Sequence, residues 1–180
     1  MMTNQELAEA LKKTALLEGE FTLRSGRKSR YYLDKYLFET QPTLLRELAK
    51  RFARYADERI DRIAGAELGA VALATATALE TGKPFVIVRN AKKAGYGTGK
   101  LIEGKLEAGE RVLLVEDVAT SGGQAIEAVK TLRDAGATVD RIVVAIDRLE
   151  GARESIESAG LHFESLFTTA DFGITPDSHG

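Results

Sequence analysis

Residues 112–124 read Val-Leu-Leu-Val-Glu-Asp-Val-Ala-Thr-Ser-Gly-Gly-Gln, an order of residue types that can do chemistry. The apolar run is a buried strand that ends in two adjacent acids, Glu116 and Asp117, and the turn Thr120-Ser121-Gly122-Gly123 follows at once and opens a helix. In an open parallel sheet ligands bind beyond the carboxyl ends of the strands. Backbone N–H groups at a helix start, left open by glycine and joined by the Thr120 and Ser121 hydroxyls, suit a phosphate monoester. Carboxylates accept hydrogen bonds, so Glu116 and Asp117 suit the paired hydroxyls of a ribose. A phosphate site beside a diol site describes a ribose 5-phosphate.

An isolated Asp-x-x-Thr is more often a strand, a capped turn and solvent-facing acids, but the whole run is more specific than that. Other phosphate-binding patterns fail. Gly99-Lys100 is followed by Leu101, so there is no Gly-x-x-x-x-Gly-Lys-[Ser/Thr] loop. Gly95, Gly97 and Gly99 have the wrong spacing for a dinucleotide fingerprint and follow a loop instead of opening a helix. A receiver domain would carry its acids on its first strand. Cysteine is absent, which removes thiol nucleophiles and Cys-ligated metals and suits a reducing compartment. His162 and His179 offer little to a histidine metal site or a triad.

The elements that must position these residues follow from periodicity. Residues 3–13 have helical spacing, with Leu7, Ala10 and Leu11 on one face and Thr3 or Asn4 as N-cap. Two β-prone runs, 21–24 and 31–33, flank a polar turn and predict a hairpin. Pro42 opens a helix through about residue 55. Strands at 62–66, 84–89, 111–118 and 141–147 then alternate with helices at about 67–80, 123–135 and 151–159. Continuous Val/Ile/Leu strands between helices predict an α/β, mostly parallel, doubly wound sheet, to which the N-terminal helix and hairpin are an addition. Residues 90–110 are polar, glycine-rich and basic, the texture of a mobile binding loop.

The chain has 180 residues and a formal charge of −2 from 25 basic and 27 acidic side chains, so no global attraction to nucleic acid or to an anionic membrane is expected. The start of the chain has no apolar h-region, and the most lipid-like stretch, 70–79, is short and bounded by Glu67 and Glu80. A cytoplasmic protein that binds neither nucleic acid nor membrane is the expectation.

The segment 112–124 resembles the phosphoribosyl-pyrophosphate (PRPP) motif of the type I phosphoribosyltransferases. Within that group, three further stretches resemble the orotate phosphoribosyltransferases in content and order. They are Phe21-Thr22-Leu23-Arg24-Ser25-Gly26-Arg27-Lys28-Ser29-Arg30-Tyr31-Tyr32-Leu33-Asp34, the run Tyr96-Gly97-Thr98-Gly99-Lys100-Leu101-Ile102-Glu103-Gly104, and Ile146-Asp147-Arg148. The likeness spans roughly residues 5–172. It implies a single domain over 1–180, with a PRPP-binding core at about 57–150 and a hood made by about 1–56 and the C-terminal segment. It also implies Mg²⁺-dependent transfer of ribose 5-phosphate from PRPP to N1 of orotate, in de novo pyrimidine biosynthesis, by a homodimer whose basic loop completes the neighbouring site.

Carried over residue by residue, the resemblance places PRPP on Arg89, Lys92, Lys93, Tyr96, Glu116, Asp117, Ala119, Thr120, Ser121, Gly122, Gly123 and Gln124, with pyrophosphate on the loop Glu67, Leu68 and Gly69. Orotate falls to Arg24, Tyr32, Leu33, Thr120 and Arg148, where a guanidinium fork can meet a carboxylate at two points. Lys92, Lys93 and Asp117 take the catalytic roles, Lys93 as principal loop lysine, with Lys92 and Lys100 as alternatives. Departing pyrophosphate gathers negative charge, which cations and Mg²⁺ would stabilise, the metal being carried by PRPP and water with no direct protein ligand assigned. The chain departs from many relatives at three places: Asn90 follows Arg89 where lysine is common, Tyr96 stands where histidine is common, and the pyrophosphate loop lacks a lysine. A purine-type phosphoribosyltransferase leaves Arg24 and Arg148 unexplained, and a PRPP-sensing regulator lacks a DNA-reading module.

Overall fold

The computed structural model describes residues 1–22, 26, 28–90 and 100–174. The chain begins with helix α1 (Asn4–Ala15), whose capping box is complete: Glu6 N–H donates to Thr3 Oγ1 at 3.2 Å and Thr3 N–H donates to Glu6 Oε2 at 2.7 Å. An antiparallel hairpin follows, β1 (Leu16–Thr22) and β2 (Lys28–Leu33), irregular between Glu18 and Phe21. Next come a short α2 (Lys35–Glu39) and α3 (Pro42–Phe52). The core is β3 (Arg62–Ala66), α4 (Ala70–Thr81), β4 (Phe85–Val88), β5 (Ile102–Glu103), β6 (Arg111–Ala119), α5 (Gly123–Asp134), β7 (Thr138–Asp147), α6 (Ala152–Ser158) and β8 (Phe163–Thr168). A 3-10 turn, Thr169–Phe172, ends the described chain near α1.

The six-stranded sheet has the order β5-β4-β3-β6-β7-β8 and is parallel except where β5 meets β4. Strand order reverses between β3 and β6. The loops after these two strands therefore diverge and leave a crevice between them, the place where such sheets bind ligands.

Side chains on β6 alternate between two cores. Leu113 and Val115 pack with Leu7, Leu11, Phe38 and Phe52 of the N-terminal addition. Val112 and Leu114 pack with Val129, Leu132 and Ile156 of α5 and α6. Each wholly buried leucine contributes roughly 2 kcal/mol of apolar transfer, so the N-terminal hood is fastened to the same strand that carries the acid pair.

Close packing at glycine fixes both crevice loops. A Cβ on Gly65 would lie 2.6 Å from Ala70 O and 2.8 Å from Ala74 Cβ, so α4 rests almost backbone to backbone on β3. Gly122 has φ +81° and a Cβ there would lie 2.9 Å from Ile156 Cγ1, so the turn before α5 demands glycine for conformation and for space.

The α/β architecture matches the expectation, with three elements added. The five-residue α2 is too short to show helical periodicity, β5 is two residues inside a stretch read as loop, and β8 is a half-polar edge strand. β1 also starts earlier than predicted, because Gly19 at φ +152° and the bulge hide its alternation.

Candidate active site

Glu116 and Asp117 sit near the end of β6, both buried, with their side chains directed to different surroundings. Glu116 lines a cavity of about 150 Å³ together with Thr120, Ser121, Gly122 and Gly123. Burial, reinforced by the negative Asp117, pushes the Glu116 carboxyl up to about 8. Its Oε1 is buried and has no hydrogen-bond partner among the described residues. A neutral carboxyl there can donate as well as accept, which the sequence reading of two simple acceptors did not include.

Asp117 turns toward the hood. One oxygen accepts the Val118 N–H, and the other lies 2.6 Å from Lys35 Nζ at the start of α2. A Cβ on Gly69 would fall 1.7 Å from Asp117 Oδ2, so the acid lies directly on the Gly69 backbone. The loop after β3 and the acid on β6 are thus locked together across the crevice. Glu39, also on α2, is buried, and burial together with Asp117 pushes it up to about 8.

The 67–69 loop is held from its other side. Asn90 N–H donates to Glu67 Oε1 at 2.8 Å, and Asn90 Nδ2 donates to the Glu67 carbonyl at 3.0 Å. That accounts for asparagine after Arg89, since it ties the end of β4 to this loop. Gln124 Nε2 reaches the same carbonyl at 3.4 Å, linking the start of α5 to the loop. Arg89 lies 3.8 Å from Glu67 Oε2 and 3.6 Å from Glu103 Oε1, and its buried Nε has no hydrogen-bond partner among the described residues. The Glu67-Leu68 peptide is cis, and the Leu68 side chain is 70% exposed.

Arg148 stands just beyond β7. Its N–H donates to Ala119 O at 3.0 Å, and Thr169 Oγ1 donates to its carbonyl at 3.1 Å, so the backbone is pinned between β6 and the C-terminal turn. The guanidinium lies over the Tyr31 ring, 5.6 Å from its centroid, with Nη2 3.4 Å from the phenol oxygen and Nε 2.9 Å from Glu150 Oε1. The hairpin and the end of β7 thereby meet at one wall. Tyr31 and Leu33 point into the core, whereas Tyr32 is exposed and packs its ring 5.7 Å from that of Phe21.

Of the sequence-predicted site residues, the structure gathers Glu67, Gly69, Arg89, Asp117 and Gln124 around the crevice. Glu116 and 119–123 form the adjoining cavity. Arg24, Lys92, Lys93 and Tyr96 lie outside the described residues. Lys100 is exposed just beyond them. Sequence reasoning missed Lys35 and Glu39. No signal in the sequence could have found either, since five residues of α2 show no helical periodicity.

The profile of the phosphoribosyl transferase domain matches residues 38–169. The orotate phosphoribosyltransferase of Natronomonas pharaonis is 52% identical over 172 residues, which cover 94% of this chain and 97% of that protein. That of Pyrococcus horikoshii is 49% identical, covering 88% of this chain and 89% of the relative. Among solved structures, the Mycobacterium tuberculosis orotate phosphoribosyltransferase in complex with PRPP superposes with a TM-score of 0.80 at 33% identity, covering 95% of this chain and 99% of that one. With a crevice at the β3/β6 switch point, an acid pair on β6, a glycine-rich turn after it, and this degree of likeness along the chain, the protein belongs to the orotate phosphoribosyltransferase family.

Proposed function

We infer that this protein transfers ribose 5-phosphate from PRPP to N1 of orotate, giving orotidine 5′-monophosphate and pyrophosphate, a step of de novo pyrimidine biosynthesis. The observation that carries the reading is the contact of Asp117 with Gly69, which sets a ribose acid against the pyrophosphate loop at the sheet's switch point. In this pose the 5′-phosphate enters the turn 120–123 and its N–H groups. The ribose hydroxyls meet Glu116 and Asp117, and pyrophosphate lies along 67–69. The C1–O bond breaks with both electrons leaving on pyrophosphate, and the N1 lone pair of orotate forms the new bond at C1. Arg148 offers the planar orotate anion a fork of donors at the Tyr31 wall.

The site suits a magnesium ion carried by the substrate. Glu116 Oε1 is buried without a hydrogen-bond partner among the described residues, and Glu116 lines the cavity where a ribose hydroxyl would bind. Glu116 and Asp117 would hold the ribose hydroxyls of the PRPP that carries the ion, with no direct protein ligand assigned. When bound, Mg²⁺ would neutralise charge on the departing pyrophosphate. The loop residues Lys92 and Lys93, with Arg89, would add further positive charge there, Lys93 foremost.

A homodimer and a cytoplasmic setting complete the proposal. The dimer is supported by α4, an Ala-rich helix whose Leu79 is 82% exposed near its C-terminal end, and by Leu68, exposed just before its start. Among the described residues no helix is long and apolar enough to cross a membrane. The test of the reaction is an acceptor panel of orotate, uracil, adenine and hypoxanthine, each with PRPP and Mg²⁺ and each repeated with EDTA. Pyrophosphate release with orotate, abolished by chelation, is expected. Release with a purine base and none with orotate would refute the reading.

A further inference from the structure

Helix α2 delivers a cation to the crevice. Asp34 caps α2 by accepting the Tyr36 N–H at 3.1 Å, and this fixes the direction in which Lys35 leaves the end of the hairpin. Lys35 Nζ lies 2.6 Å from Asp117 Oδ2, and a Cβ on Gly69 would be 3.1 Å from it. The ammonium therefore stands where the ribose acid and the pyrophosphate loop meet. Its side chain is 32% exposed, so one side remains open to an incoming ligand. Burial lowers the Lys35 pKa, but the charge and hydrogen bond of Asp117, with smaller contributions from Tyr36 and Glu39, together hold the group above its ordinary value. Glu39 and Glu116, two further acids of the cluster, are both pushed up to about 8, and Asp117 is the acid in direct contact with Lys35.

The loop itself is poor in positive charge. Residues 67–69 are Glu, Leu and Gly, the glutamate engages Asn90, and Arg89 is spread between Glu67 and Glu103. A pyrophosphate on this loop meets an anionic side chain from its own strand end, and the nearby ammonium comes from the hood.

We propose that Lys35 neutralises Asp117 in the empty site and contacts the pyrophosphate of PRPP once the ribose hydroxyls occupy Asp117, supplying from the hood the cation that the 67–69 loop does not carry. The proposal rests on the reaction inferred above and adds a catalytic residue to it. The flexible four-carbon stem of lysine permits the move. Release from Asp117 and capture by pyrophosphate are one exchange, so substrate binding and charge supply are coupled.

Lys35→Met and Lys35→Arg, each alone and combined with Asp117→Asn, test this by steady-state kinetics in both directions and by calorimetric titration with pyrophosphate. In Lys35→Met the KM values for PRPP and pyrophosphate should rise about 10- to 100-fold, the loss of one charge-assisted contact, while the KM for orotate at saturating PRPP stays within about twofold. Lys35→Arg should recover most of the loss, and the effect should persist in the Asp117→Asn background. Wild-type pyrophosphate affinity in Lys35→Met overturns the proposal. So does an effect that vanishes with Asp117→Asn, which would make Lys35 a partner of that acid alone. Lys35→Gln carries the same readout if the methionine variant does not fold. Pyrophosphate titration needs no acceptor: weakened binding in a protein that does not consume orotate would leave the Lys35 assignment standing and sink only the choice of acceptor.

Discussion

Two buried carboxyls, Glu116 beside Asp117 on β6 and Glu39 on α2, are both pushed up to about 8, first by burial and then by the Asp117 charge. The sign of their effect on stability follows from proton counting. Between the ordinary carboxyl value and about 8 the folded chain keeps protons that the unfolded chain has released, so stability falls as pH rises through that window and levels off above it. Glu39→Gln should flatten this slope and raise the melting temperature at pH 8 relative to wild type, with little change at pH 5, as read by thermal unfolding across the range. An unchanged slope would mean that Glu39 ionises freely in the folded protein. At Gly69 the constraint is steric instead of electrostatic. A methyl group there would lie 1.7 Å from Asp117 Oδ2, so Gly69→Ala must displace either the loop or the acid. A displacement near 1 Å can cost about 100-fold in rate, and kcat/KM for PRPP should fall on that scale while the KM for orotate changes little.

At the scale of elements, the sequence was most legible where a strand is buried on both faces. β3 and β6 carry continuous apolar runs, and their predicted bounds match within a residue. The turn 120–123 and its acids were equally readable, because the apolar run, the acid pair and the Thr-Ser-Gly-Gly turn occur together in one unbroken string. The short α2 was not readable, since five residues give no periodicity and its helix stands on the Asp34 cap and on packing of Phe38. With it went Lys35 and Glu39, which reach Asp117 from about 80 positions away in sequence through tertiary packing alone. Asn90 shows the same limit from the other side. As a departure from relatives it looked like a lost cation, whereas the folded chain uses its backbone and side chain to hold Glu67.

Across the whole molecule, the N-terminal addition packs on the sheet through β6, and one buried network fastens its start. Arg51 donates to the Met2 carbonyl at 2.7 Å, to Asn4 Oδ1 at 3.2 Å and to Glu47 Oε2 at 3.1 Å, and both Arg51 and Glu47 are buried. Removing the guanidinium takes one charge-assisted partner from the buried Glu47 carboxylate, which keeps Lys50 and the Met2 N–H, and releases the Met2 carbonyl and Asn4 at the start of α1. Arg51→Ala should therefore cost about 3 kcal/mol of stability in denaturant unfolding, without changing which base the enzyme accepts. The short helix α2, the 67–69 loop and β6 converge on Asp117, and the proposed reaction depends on that convergence. It is tested most directly by following the ultraviolet loss of orotate with PRPP and Mg²⁺ for wild type and Asp117→Asn side by side, with melting temperatures for both. The expected result is turnover by wild type that needs PRPP, and a fall of about 100-fold or more in kcat for a variant that remains folded. Wild-type turnover by folded Asp117→Asn would contradict the account, because the ribose would then be held elsewhere.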